Sequence, residues 1–159
     1  SMPPINATIE AHLMVDRPSK WIKKHGDKVD VILFHAECLE ERIDIIESIK
    51  KQKKKVGIVI NPPTKVGVIQ PYLDKIDEVL VMTVYPGAYG AEFLPETLEK
   101  VKQLRELKPD LHIEVDGGIT DKTITQAKEA GANLFVSGSF IMKSKDPEKS
   151  FDDLKKLVE

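Results

Sequence analysis

Leu111-His112-Ile113-Glu114-Val115-Asp116-Gly117-Gly118 is an apolar, β-branched run that stops at a carboxylate and two glycines. Short runs of this kind, bounded by glycine, read as strands. A period of two puts Glu114 and Asp116 on one face of that strand. Beyond it, residues 122–130 keep a helical spacing. Thr120 is the expected N-cap, Asp121 gives an acidic first turn, and Gly131 is the expected stop. A further strand-like run, 133–137, then stops at Ser137-Gly138-Ser139.

The same unit of strand, turn and helix repeats toward the N-terminus. Strand-like runs cover 8–15, 29–35, 56–60 and 78–84. Helical spacing covers 18–24, 40–52, 95–107 and 147–158, with a short helix expected within 66–73. The strand starts lie roughly 20–35 residues apart, as βα units require. Pro18 and Pro95 fall where a first helical turn tolerates proline. No linker or low-complexity segment divides the chain, so 1–159 reads as one domain. Strands apolar on both faces, separated by helices, predict an α/β fold with a parallel sheet covered by helices.

An open doubly wound sheet and a barrel both satisfy that pattern. A dinucleotide-binding open sheet would carry G-x-G-x-x-G after its first strand. Here that turn reads Asp16-Arg17-Pro18. The barrel is preferred because polar residues gather at the C-terminal ends of several strands, where barrels place their chemistry. Glu10, His12 and Met14 share one face of the first strand. The second ends His35-Ala36-Glu37, the third Asn61-Pro62, and the fourth Met82-Thr83-Val84-Tyr85-Pro86-Gly87. Burying polar groups without partners costs about 1–3 kcal/mol each, so their convergence at one rim predicts a site.

Two glycine-rich turns indicate an anion. Gly117-Gly118 and Gly138-Ser139 sit on neighbouring strands, where backbone N–H groups approach a phosphate closely. The loop Gly87-Ala88-Tyr89-Gly90 is placed to close over the ligand's other side. His12, Asp116 and His35 are candidates to ligate a divalent metal, with a hydrogen-bonded barrel histidine as the other reading of His35. His25 and His112 precede strands and are expected on the surface of the opposite rim.

Composition narrows the remaining classes. The apolar fraction is 41%, the charged fraction 31% and the formal net charge −2, giving no reason to expect nucleic-acid binding. The basic run Lys50 to Lys55 reads as the solvated end of a helix. No apolar stretch approaches the ~20 residues of a membrane span. One cysteine, Cys38, excludes an internal disulfide and fits a reducing, cytoplasmic setting. Ser1-Met2 reads as a residual tag before a native start.

At this point the motifs resemble a family. His12-Leu13-Met14-Val15, Asn61-Pro62, Met82 to Gly87, Glu114 to Gly118 and Ser137-Gly138-Ser139 are similar, in order and spacing, to ribulose-phosphate 3-epimerase. The likeness runs from about Glu10 to Pro147. It implies a TIM-type (βα)8 barrel that interconverts ribulose 5-phosphate and xylulose 5-phosphate by inverting the carbon beside the ketone. Two aspartates act as acid and base, and two histidines with both aspartates hold a divalent metal (Zn, Fe, Mn or Co). By resemblance His12 is one metal ligand, and Asp116 is both ligand and acid/base. Met14 and Met82 flank the reacting carbons. Gly87 and Gly90 belong to the closing loop, and Gly117, Gly118, Gly138 and Ser139 cradle the phosphate.

The resemblance begins at the family's third strand. It therefore implies a barrel truncated to about six βα units, without the strands that carry a substrate-contacting serine, the second histidine and the second aspartate. The family loop Gly-x-Gly-Gly-Gln-x-Phe is replaced by Gly87-Ala88-Tyr89-Gly90-Ala91-Glu92-Phe93. Six strands do not close with the geometry of eight, so a homodimer or larger homo-oligomer is expected to cover the open edges and apolar interior. The alternatives are a non-catalytic sugar-phosphate binder or structural homo-oligomer, and another phosphosugar isomerase or lyase that uses Asp116 differently.

Overall fold

The computed structural model describes residues 6–87 and 92–159. Six strands form one parallel sheet: β1 (Glu10–Leu13), β2 (Val31–His35), β3 (Lys55–Ile60), β4 (Glu78–Met82), β5 (His112–Asp116) and β6 (Leu134–Val136). Their order in the sheet is their order in the chain. The helices are α1 (Pro18–His25), α2 (Arg42–Lys51), α3 (Leu98–Leu107), α4 (Ile124–Glu129), α5 (Ser139–Met142) and α6 (Pro147–Val158). Pro18 opens α1 and Pro147 opens α6, where Asp146 accepts a hydrogen bond from the Lys149 N–H. No helix among the described residues is long and apolar enough to cross a membrane.

The strands divide two cores between their faces. On one face, Ile32 and Phe34 of β2, Ile58 and Ile60 of β3, and Val79 and Val81 of β4 pack in the large buried cluster that also holds Ile45, Ile46 and Ile49 of α2 and Val101 and Leu104 of α3. On the other face, Val31, Leu33, Val59, Leu80 and Met82 form a smaller cluster. Gly57 belongs to this inner face, because a Cβ there would lie 2.2 Å from Leu33 Cδ2. The missing side chain lets Leu33 fill the interior with no exposure.

The sheet is curled into a half-barrel. In a flat sheet, β1 and β5 stand four strand spacings, or ~19 Å, apart. Here His12 of β1 lies 3.7 Å from Asp116 of β5. An open doubly wound sheet does not bring these strands together. β1 and β6 do not pair with each other among the described residues.

Some boundaries differ from the sequence expectations. α4 begins at Ile124, so Thr120 is not its N-cap. The Thr120 N–H donates to Thr123 Oγ1, and that hydroxyl donates to the Gly118 carbonyl, holding residues 120–123 in a turn. The 66–73 segment forms two 3₁₀ turns, Val66–Val68 and Gln70–Lys75, not one helix. The run Lys50 to Lys55 is not wholly a helix end: α2 stops at Lys51, Lys53 turns at φ 58°, and Lys55 starts β3. β1 stops at Leu13, leaving Met14 and Val15 exposed beyond the ladder.

Candidate functional site at the strand ends

The parallel register gathers the expected residues at one rim. His12 stands beside Leu33, His35 beside Val59, and Met82 beside Asp116. His12 Nδ1 faces Asp116 Oδ2 at 3.7 Å, too far for a strong hydrogen bond. On its other side, His12 Nε2 meets His35 Nε2 at 2.8 Å. His35 Nδ1 lies 3.3 Å from Glu37 Oε2. Glu37 Oε1 accepts hydrogen bonds from the Asn61 N–H, at 3.0 Å, and from Thr64 Oγ1. Burial alone would raise the Glu37 carboxyl. The hydrogen bonds from His35, Thr64 and the Asn61 N–H outweigh it and hold the group at about 2. Both His35 nitrogens are thus occupied within the chain, which is the hydrogen-bonded barrel histidine.

The glycine turns are built for close approach. Gly117 has φ 116° and Gly118 φ 66°, conformations that favour glycine. A Cβ on Gly117 would lie 2.4 Å from Val84 Cγ2, and one on Gly118 would lie 2.8 Å from Phe93 Cβ. Side chains pin the turn from behind: the buried Thr83 hydroxyl donates to the Gly117 carbonyl at 2.5 Å, and Ser137 Oγ donates to the Ile119 carbonyl at 2.8 Å. Gly138 faces open space, with nothing within 4 Å of its Cβ position. It precedes α5, which starts at Ser139.

These groups line one cleft of about 460 Å³ that includes Met14, Met82, Gly87, Asp116, Gly117, Gly118, Gly138 and Ser139. That volume suits a small ligand. Asp116 is the acidic residue among the described lining. Gly90, Ala88, Tyr89 and Ala91 lie outside the described residues, so the expected loop closure is seen only at Gly87. A smaller adjoining cleft shares Met14 and Pro86 and includes His35, Glu37 and Asn61.

One layer deeper, Glu10, Glu78 and Glu114 converge, their oxygens within 4.8 Å of one another. Glu78 and Glu114 are buried, and one oxygen of each has no hydrogen-bond partner. Burial and the charge on Glu10 push Glu78 up to about 7 and Glu114 higher still. The sequence pattern turns Glu10 and Glu114 inward, but Glu78 escapes a reading centred on strand ends. Its signal is the same period of two, which aligns Glu78 and Leu80 with Met82. Thr64 escapes it as well, because nothing local shows that a 3₁₀ approach will bring its hydroxyl to Glu37.

The donors suited to a transition metal at the rim are His12 Nδ1 and Asp116 Oδ2. An imidazole nitrogen and a carboxylate oxygen facing each other fit such an ion. They supply two of the four positions of a tetrahedral site. His25 and His112 take no part: His112 is exposed at the start of β5, and His25 ends α1.

Comparison with known proteins gives the following. The family model described as "Ribulose-phosphate 3 epimerase family" matches residues 2–142. The ribulose-phosphate 3-epimerase of Schizosaccharomyces pombe is 40% identical over 153 residues, covering 96% of this chain and 67% of that protein. The ribulose-phosphate 3-epimerase of Bacillus subtilis is 36% identical over 159 residues, covering 96% of this chain and 73% of that protein. Among solved structures, the KGPDC from Streptococcus mutans in complex with a pentose phosphate superposes with a TM-score of 0.76 at 17% identity, over 96% of this chain and 73% of that one. At that identity the likeness shows the fold.

Proposed function

The chain belongs to the ribulose-phosphate 3-epimerase family, and from that premise we propose that it binds a pentulose 5-phosphate in the Asp116 cleft and exchanges a proton at the carbon beside the ketone. The observation that carries this reading is the cleft itself. It sets one carboxylate, Asp116, between two methionines and a glycine cradle. Gly117, Gly118, Gly138 and Ser139 are the groups to receive the phosphate. Met14 and Met82 exclude water from the reacting carbons, and Asp116 moves the proton. The pentose phosphate bound by the Streptococcus mutans neighbour is consistent with a ligand of that class. His12 and Asp116 would hold a divalent ion, which when bound stabilises negative charge developing on the sugar oxygens. The lone, half-buried Cys38 suits a cytosolic setting.

A second reading has its own observation. Inversion needs a proton removed from one face and delivered to the other, and Asp116 is the acid among the described lining of the cleft. Glu37, next door, is held near 2 and makes a poor base. This favours a sugar-phosphate binder without turnover. An assay of ribulose 5-phosphate conversion on the wild type and Asp116→Asn separates the readings. For the enzyme, the variant loses about 10²–10⁴-fold. Equal rates exclude Asp116 as the proton carrier. Calorimetric binding of ribulose 5-phosphate with no turnover in either protein establishes the binder.

A further inference from the structure

Asp116, His12, His35 and Glu37 form an unbroken file across β5, β1 and β2, and its hydrogens are settled at one end. Glu37 already accepts from Thr64 Oγ1 and the Asn61 N–H. An ionised carboxylate accepts only, so His35 Nδ1, 3.3 Å away, must carry a hydrogen toward it. A neutral imidazole has one donor and one acceptor nitrogen, so His35 Nε2 is then bare. His12 Nε2, 2.8 Å from it, must donate, which leaves His12 Nδ1 bare as well. The ring arrangement supports a real N–H···N bond. The centroids are 5.0 Å apart and the planes 21° from parallel. The 2.8 Å gap plus the two ring radii nearly fill that distance. The rings therefore meet edge to edge, not face to face.

We propose that Glu37 and His35 are positioning residues that set the tautomer of His12, so that its bare Nδ1 is aimed at the space beside the Asp116 carboxylate. Two acceptors then face each other at 3.7 Å. That pairing favours a cation between or beside them. A metal-binding histidine usually donates its other N–H to such a partner, which fixes the ring and raises its basicity. Here the partner is a second histidine, itself oriented by a carboxylate from its own strand end. Part of this rests on the reading of His12 and Asp116 as the metal-binding pair, but the tautomers do not. The low value at Glu37 agrees with the file without being needed for it.

An unconstrained neutral imidazole prefers its proton on Nε2, so the diagnostic group is His35. Long-range ¹H–¹⁵N spectra of the wild type, at a pH where the rings are neutral, should show His35 protonated on Nδ1 and His12 on Nε2. In Glu37→Ala, His35 should revert to Nε2–H. Its donor then faces His12 Nε2 and drives the His12 proton to Nδ1. Titration of metal-free protein with Mn²⁺ alone should show a loss of affinity of about 10–100-fold in Glu37→Ala. A wild-type His35 protonated on Nε2 overturns the proposal, and this needs no variant to fold. Unchanged tautomers in a folded Glu37→Ala also overturn it. The stated tautomers with no Mn²⁺ binding by the wild type support the positioning file and sink the metal-binding reading of His12 and Asp116.

Discussion

Glu78 puts a carboxyl, 5% exposed, inside the half-barrel against two other glutamates. Burial is the main reason its proton is held up to about 7, with the charge on Glu10 adding to it. An unfolded glutamate titrates near 4.3. The folded state therefore binds the proton more tightly, and this group's stabilising contribution is complete below about pH 4. It is lost as pH rises through about 7. Denaturant unfolding should show the wild type losing stability between about pH 5 and 8, and Glu78→Gln losing less, by about 1–3 kcal/mol at the upper end. Identical pH profiles would sink this account. Gly117 gives a second test at this scale. Gly117→Ala must hold φ 116° and a Cβ 2.4 Å from Val84, so it should cost about 1–3 kcal/mol in the same measurement. Both positions show what is legible in a sequence. Asp116-Gly117-Gly118 announces itself by residue type and by its place at a strand end. Glu78 does not, because one acid at the start of an apolar run looks like a solvated strand edge until the sheet curls.

At the scale of elements, periodicity locates all six strands and the long helices, since a buried face repeats along each of them. It fails where capping and short turns decide. Thr120 has the composition of an N-cap, yet Thr123 takes its N–H and delays α4 to Ile124. Long-range partners are equally hidden. Arg105 of α3 looks like an exposed charge. In fact its guanidinium donates to the Gly131 carbonyl at 3.0 and 2.7 Å, to Leu111 at 2.8 Å and to Pro109 at 2.5 Å. It ties α3 to the entry of β5 and to the segment after α4. Arg105→Ala should destabilise by about 1–3 kcal/mol in denaturant unfolding. Arg105→Lys should recover little, because one ammonium does not span the carbonyls a planar fork reaches. Full recovery by lysine would show that only the charge matters.

For the whole molecule, the sheet has an outer edge at β1 and another at β6 among the described residues, and the inner rim leaves Met14 58% exposed. Unpaired parallel edges beside an apolar rim favour association. Sedimentation velocity at micromolar concentration should find a homodimer or larger, and a stable monomer would reject that expectation. The strand order has a further consequence, and it concerns time. Every sheet pairing joins a strand to its neighbour along the chain, so the sheet can lengthen unit by unit, each step closing a modest loop. His12 meeting Asp116, and Glu10 meeting Glu114, join the first strand to the fifth. Contacts so distant in the chain form late, after the loop-closing entropy has been spent on nearer ones. The rim is therefore the last part of the molecule to come into being, and the reacting groups meet only when the curl is complete.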